Sequence, residues 1–95
     1  MSKIAETVEE LARPVVESQG CSLYKVKYVK EGPSYYLRVF IEKDSGVNIT
    51  DCEAISREMD PIQDEHTELF PNPYVFEVSS SGEEKERDFK NKKEV

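Results

Sequence analysis

The chain has 95 residues, enough for one domain with one modest core. Thirteen lysines and arginines against 20 aspartates and glutamates give a net charge of -7, a field that repels phosphate and makes non-specific nucleic-acid binding an unlikely main task. The two cysteines, Cys21 and Cys52, lack CxxC spacing, which argues against a disulfide framework or a four-cysteine zinc site, and no apolar run approaches the ~20 residues that span a bilayer.

The first element is an amphipathic helix. Ile4, Val8, Leu11 and Val15 recur at three and four residues with Ala5 and Ala12 beside them, while Glu6, Glu9, Glu10 and Arg13 fall elsewhere around the turn. Ser2 suits its N-cap and Gly20 its left-handed stop. Pro14 deletes one helical hydrogen bond, so a kink or break is expected near Leu11 to Pro14. The N-terminus leads straight into this pattern and carries no apolar signal core, so the protein is expected to stay soluble in the compartment where it is made.

From Leu23 to Lys43 the period changes to two. Tyr24, Val26 and Tyr28 share one face, as do Tyr35, Leu37, Val39 and Ile41 after a turn at Glu31-Gly32-Pro33-Ser34, which spells a hairpin. The opposite face carries Lys25, Lys27, Arg38 and Glu42 with Tyr36 and Phe40, and is expected to be wet. After Asp44-Ser45-Gly46, Thr50-Asp51-Cys52-Glu53 reads as a capping box opening a second helix. Its apolar stripe is Cys52, Ile55, Met59 and Ile62, and its outward face is acidic, with Asp51, Glu53, Glu58, Asp60 and Asp64 around Arg57. Pro61 is expected to loosen the last turn.

A loop through His66 to Pro73 follows, and Tyr74, Phe76 and Val78 alternate as a third strand ending at Ser79-Ser80-Ser81-Gly82. The fold class is therefore α/β of the α+β kind, in the order α-β-β-α-β, with two helices on one face of a three-stranded sheet. Residues 1–82 form the domain. Residues 83–95 change to charge-paired composition, where Glu83 to Arg87, Glu86 to Lys90 and Asp88 to Lys92 favour helix by only about 0.2–0.5 kcal/mol each, so this segment reads as a solvated tail.

Taken together, Leu11-Ala12-Arg13-Pro14-Val15-Val16-Glu17, Leu37-Arg38-Val39-Phe40-Ile41-Glu42-Lys43, Gly46-Val47 leading to Thr50-Asp51-Cys52-Glu53-Ala54-Ile55-Ser56-Arg57, and Pro73-Tyr74 before Phe76-Glu77-Val78-Ser79-Ser80 resemble the N-terminal domain of the bacterial ribosome maturation factor RimP family. The resemblance runs from about Val8 to Gly82. It implies a cytoplasmic, non-enzymatic factor that binds the immature small ribosomal subunit, through ribosomal protein with ribosomal RNA as a further contact, and that needs no cofactor, metal or membrane. It also implies a downstream SH3-like domain. Where the family continues from its paired serines with Pro-Gly-Leu-Asp-Arg-Pro-Leu, this chain reads Ser81-Gly82-Glu83-Glu84-Lys85-Glu86-Arg87, so the second domain is expected to be absent. A monomer is expected.

Two surfaces are candidates for the partner. Lys25, Lys27, Tyr36, Arg38 and Phe40 give the outer sheet face a basic and aromatic composition that can contact RNA, although an alternating strand needs polar outward residues whatever its task. Glu42 and Glu77 are placed to neutralise part of it across strands. The acidic helix face with Glu53, Arg57 and Asp60 suits a basic protein, or is an ordinary solvated helix face. The alternative function is a stand-alone RNA-binding module of KH-like topology, but no GxxG loop occurs among Gly20, Gly32, Gly46 and Gly82. Chemistry by Cys52 or His66 lacks an orienting third group, and the one histidine among Asp64, Glu65 and Glu68 closes no metal coordination sphere.

Overall fold

Leu37, Val39 and Ile41 alternate along one strand and are fully buried, which places the middle of the core on the second strand. The computed structural model describes residues 3–82, with α1 at Lys3–Ser18, β1 at Ser22–Glu31, β2 at Ser34–Glu42, α2 at Ile49–Glu65, a short 3₁₀ turn at Thr67–Leu69 and β3 at Tyr74–Ser80. The expected Ser2 cap and the charged segment 83–95 lie outside the described residues. The strands lie in the order β1-β2-β3, antiparallel between β1 and β2 and parallel between β2 and β3. α2 is the crossover that a parallel pair requires. The α-β-β-α-β order expected from the pattern is the one observed.

Both helices cover one face. Ala5, Val8, Ala12 and Val16 of α1 join Ile55 and Met59 of α2 over Val26, Leu37, Val39 and Ile41 in a single cluster. Each large side chain buried in this way contributes about 1.5–3 kcal/mol. Ala5, Val8, Ala12 and Val16 are the buried stripe of α1, turned slightly from the one expected, and Ile4 and Val15 flank it half-buried. α1 is not broken at Pro14. The proline is exposed, so the carbonyl freed by its missing N–H lies on the solvent side, where water can satisfy it.

The helix ends by a Schellman motif that Gly20, at φ 76°, makes possible. The Gly20 N–H donates to the Glu17 carbonyl at 3.0 Å and the Cys21 N–H to the Val16 carbonyl at 3.2 Å, and Val16 and Cys21 are both in the core. Gly32, at φ 60°, takes the first central position of the two-residue hairpin, as a type II′ turn asks. Near the start of β1, Leu23 pairs with Ile41 and Lys25 with Phe40, so Tyr24 is the extra residue of a bulge. That shift overturns one expectation: Leu23, not Tyr24, packs on the core, and Tyr24 is exposed.

α2 begins two residues before the expected cap. Asn48 is the N-cap: its side chain accepts from the Asp51 N–H at 3.0 Å, and the Asp51 carboxylate accepts from the Asn48 N–H at 3.2 Å. The capping box thus uses Asn48 and Asp51 in place of Thr50 and Glu53. Asp51 consequently points inward, against the expectation that it faces out, and meets Lys43 Nζ at 3.2 Å. The helix continues through Pro61, which is exposed, to Glu65, where the loosening appears only in the 3₁₀ turn that follows.

The cap can be tested directly. Asn48→Ala should cost about 1 kcal/mol in urea unfolding, and Thr50→Ala only a few tenths. The hydrogen bond from the Asn48 backbone, followed by Lys43, holds the Asp51 carboxyl below its ordinary value of 3.8. A lowered folded pKa gives stability that is complete above the ordinary value and is lost as pH falls through the folded one. Acid unfolding should therefore lose part of its steepness below pH 3.8 in Asp51→Asn, compared with the unaltered chain.

Candidate functional site

The outer face of the sheet, away from the helices, is set by the even positions of β2. Tyr36, Arg38 and Phe40 face it, with Lys27 opposite Arg38 and Lys25 opposite Phe40 on β1, and Glu77 and Ser79 opposite them on β3. The register thus brings together Lys25, Lys27, Tyr36, Arg38 and Phe40, the basic and aromatic residues that the alternation assigned to this face. Lys25 is exposed and Lys27 and Tyr36 half-buried, but the centre of the face is not wet. Phe40 is 1% exposed and Arg38 8% exposed.

Arg38 is buried because its neighbours compensate its charge. NH1 and NH2 both donate to the Glu31 carboxylate at 2.8 Å, and Nε donates to Glu77 Oε1 at 2.7 Å. The fork geometry of guanidinium makes this double grip possible. The guanidinium carbon also lies 4.6 Å from the centre of the Tyr36 ring. Hydrogen bonding to Glu31 raises the Arg38 pKa above its ordinary value, burial works against this, and Glu77 adds to the rise. Its donors are committed to carboxylates on both flanking strands, so Arg38 clamps the sheet and presents little free charge to a phosphate.

The expected pairing of Glu77 with the basic residues is observed, whereas Glu42 accepts from the Ser81 hydroxyl at 3.1 Å. Glu31 was read only as a turn residue. Its i+7 separation from Arg38 across a two-residue hairpin was the available signal, because that register puts the two on one face.

The other candidate group lies on the opposite side of the domain. Glu53, Arg57 and Asp60 are exposed on α2, at positions that share one helical face. Glu58 is tied to the turn after α1, where the Gln19 side-chain amide donates to its carboxylate at 2.9 Å. Between the helices the interior leaves a void of only about 10 Å³, room for one water at most. The larger hollows are shallow surface grooves, one of about 450 Å³ beside Gly20, Ser22 and Lys43.

His66 Nδ1 lies 2.8 Å from the Ile62 carbonyl, so the ring caps the end of α2 by donating there. Among the described residues no three histidine, cysteine or acidic side chains cluster as metal ligands would. Cys21 is buried and Cys52 half-buried, both as free thiols. Burial, then the nearby Asp51 carboxylate, pushes the Cys21 thiol up, which keeps it protonated and unreactive.

One cluster was not anticipated. Tyr28 stacks on Tyr35 at 5.6 Å, and Phe70 bridges Tyr28 and Tyr74 at 5.9 and 4.3 Å, closing the hairpin end of the core. The Tyr74 hydroxyl donates to Gln63 at 2.7 Å, while the Tyr28 hydroxyl is buried without a hydrogen-bond partner. Phe70 lies in the loop, where no periodicity marks it.

With this geometry in hand, comparison with known families is specific. The family model for the RimP N-terminal domain matches residues 11–84. The chain belongs to that family. RimP proteins are ribosome maturation factors, and the matched span takes in the second half of α1, the whole sheet and α2. No helix among the described residues is long and apolar enough to cross a membrane.

The clamp makes a measurable prediction. Arg38→Met should cost about 2 kcal/mol in urea unfolding, less than a fully buried ion pair because Glu31 and Glu77 retain solvent contact. Glu77→Gln in the same background should add less than it costs alone, leaving a coupling energy of at least about 0.5 kcal/mol in the double-mutant cycle.

Proposed function

We propose that this chain acts as the docking domain of a cytoplasmic ribosome maturation factor, binding the immature small ribosomal subunit as a monomer and working by association without catalysis. The family match carries the reading. The acidic outer face of α2, with Glu53 and Asp60 exposed around Arg57, is the surface that meets the subunit, and a basic ribosomal protein is what it meets. The commitment of Arg38 to Glu31 and Glu77 supports this choice over the sheet face, since the most buried cation there is already neutralised. The net charge of -7 supports it as well, because an acidic field speeds encounter with a basic protein and slows encounter with bare RNA. Residues 1–82 form the docking unit, and in this reading the residues after Gly82 stand where a linker to a second domain begins in relatives.

A stand-alone RNA-binding module is the second reading, favoured only by the basic and aromatic makeup of the sheet face. Co-sedimentation with immature small subunits separates the two. The chain should pellet with subunits, Glu53→Lys combined with Asp60→Lys should weaken that by about tenfold, and binding to model RNA should be weak at physiological salt. Tight, steeply salt-dependent binding to naked RNA, unaffected by the α2 reversal, would favour the RNA module instead.

A further inference from the structure

We propose that the outer edge of β3 accepts, as a fourth strand, an extended segment of a partner protein carrying lysine or arginine side chains. The sheet has two edges, and they are built differently. β1 carries Lys25, Lys27 and Lys30 and a bulge at Leu23/Lys25, which are the devices by which native edge strands avoid pairing with other chains. β3, Tyr-Val-Phe-Glu-Val-Ser-Ser, has no lysine, proline or bulge. Its one charge, Glu77, is turned toward β2 and paired with Arg38 at 2.7 Å. Among the described residues β3 pairs with β2 alone, so no described strand satisfies the backbone donors and acceptors of its other edge.

Val75 marks the place where such a segment would settle. It is 46% exposed, large and apolar, on the edge strand. An open groove of about 330 Å³ lies past its N-terminal side, at the end of the sheet where β2 and β3 start, walled by Pro33, Tyr35, Asn72, Pro73 and Tyr74. Addition of a strand supplies affinity through main-chain hydrogen bonds, and the exposed Val75 offers an apolar contact for one of the added side chains.

Charge selects the occupant. The Tyr74 hydroxyl donates to Gln63 of α2 at 2.7 Å, and Asp60 and Asp64 are exposed on that same stretch of α2, so the N-terminal end of β3 has an acidic rim. A basic segment is attracted there. A second copy of this chain brings a like charge of -7, and a phosphate backbone meets the same field. The inference rests on the ribosomal reading only for where such a partner is found; the edge itself stands on geometry.

A short synthetic peptide of alternating lysine and valine is the probe, with a glutamate–valine peptide as control, followed by amide chemical shifts and hydrogen exchange of the full chain. The lysine peptide should shift the amides of residues 74–80 and slow their exchange, and the glutamate peptide should do neither. Val75→Lys should weaken binding by about tenfold, while Val75→Glu should leave it intact or strengthen it, since both variants change a solvent-exposed side chain and differ only in sign. Shifts confined to β1, to α2 or to the outer sheet face would overturn the proposal, as would equal weakening by both variants. A dimer of the unaltered chain that Val75→Lys disperses would make the occupant a second copy and overturn it too. On immature small subunits, a Val75→Lys chain that pellets like the unaltered one would remove the edge from docking while leaving the docking itself. Failure of the unaltered chain to pellet would remove the docking, and the peptide shifts would still decide the edge.

Discussion

Everything in this domain is referred to β2. It is the one strand with neighbours on both sides, and Leu37 to Ile41 are buried on both of its faces, a run of five residues in which even the arginine is withdrawn from water. A strand so placed must satisfy two different chemistries in alternation. On the helix side Leu37, Val39 and Ile41 need only apolar volume, which Val16, Ile55 and Met59 supply. On the other side Arg38 needs counter-charge from both flanking strands, and it receives Glu31 from β1 and Glu77 from β3. The packing core resists separation of layers; the ionic clamp resists separation of strands.

The clamp also fixes register. A slip of one residue in either pairing would turn its carboxylate to the other face, and the guanidinium would be left buried and unpaired. This constraint matters most for β3, which joins the sheet after a long crossover and pairs in parallel, where hydrogen bonding is slightly weaker per residue. Glu77 against Arg38 in the β2–β3 register is therefore a positional lock at the most remote contact of the chain.

Much of this could be read from the amino acids alone, and the failures have identifiable causes. The hairpin was legible because alternation persisted over two strands around Gly32-Pro33, and the crossover because a helical period separated them from Tyr74-Val75-Phe76. The bulge at Tyr24 was hidden, since Tyr24, Val26 and Tyr28 alternate as a regular strand does and only pairing with Ile41 and Phe40 reveals the extra residue. The cap was misplaced by two residues because Thr50-x-x-Glu53 and Asn48-x-x-Asp51 compete as capping boxes. The structure resolves the tie through Lys43, whose ammonium meets Asp51 and makes the inward position of that carboxylate favourable. Of the site residues, the face of each strand position followed from period two, but exposure did not, because burial of Arg38 depends on Glu31 and Glu77 arriving together. Glu53, Arg57 and Asp60 were simpler: their outward position follows from the stripe of Ile55 and Met59 on the other side of the same helix.

The distribution of charge then distinguishes the two sides of the domain in a way that net charge alone does not. On the sheet side, carboxylates are spent on internal cations, so the face is closer to neutral than its sequence suggests. On the α2 side, acidic groups such as Glu53 and Asp60 remain on the surface, and the rim continues through Asp64 toward the start of β3. The outward field of the domain is therefore directional. In an assembling ribonucleoprotein, where phosphate dominates the surroundings, a directional acidic surface is repelled from most orientations and attracted only where basic protein is uncovered. Under the proposed reading, repulsion by RNA contributes to selectivity as much as attraction by the partner does, since the discrimination between correct and incorrect placement is a difference of the two.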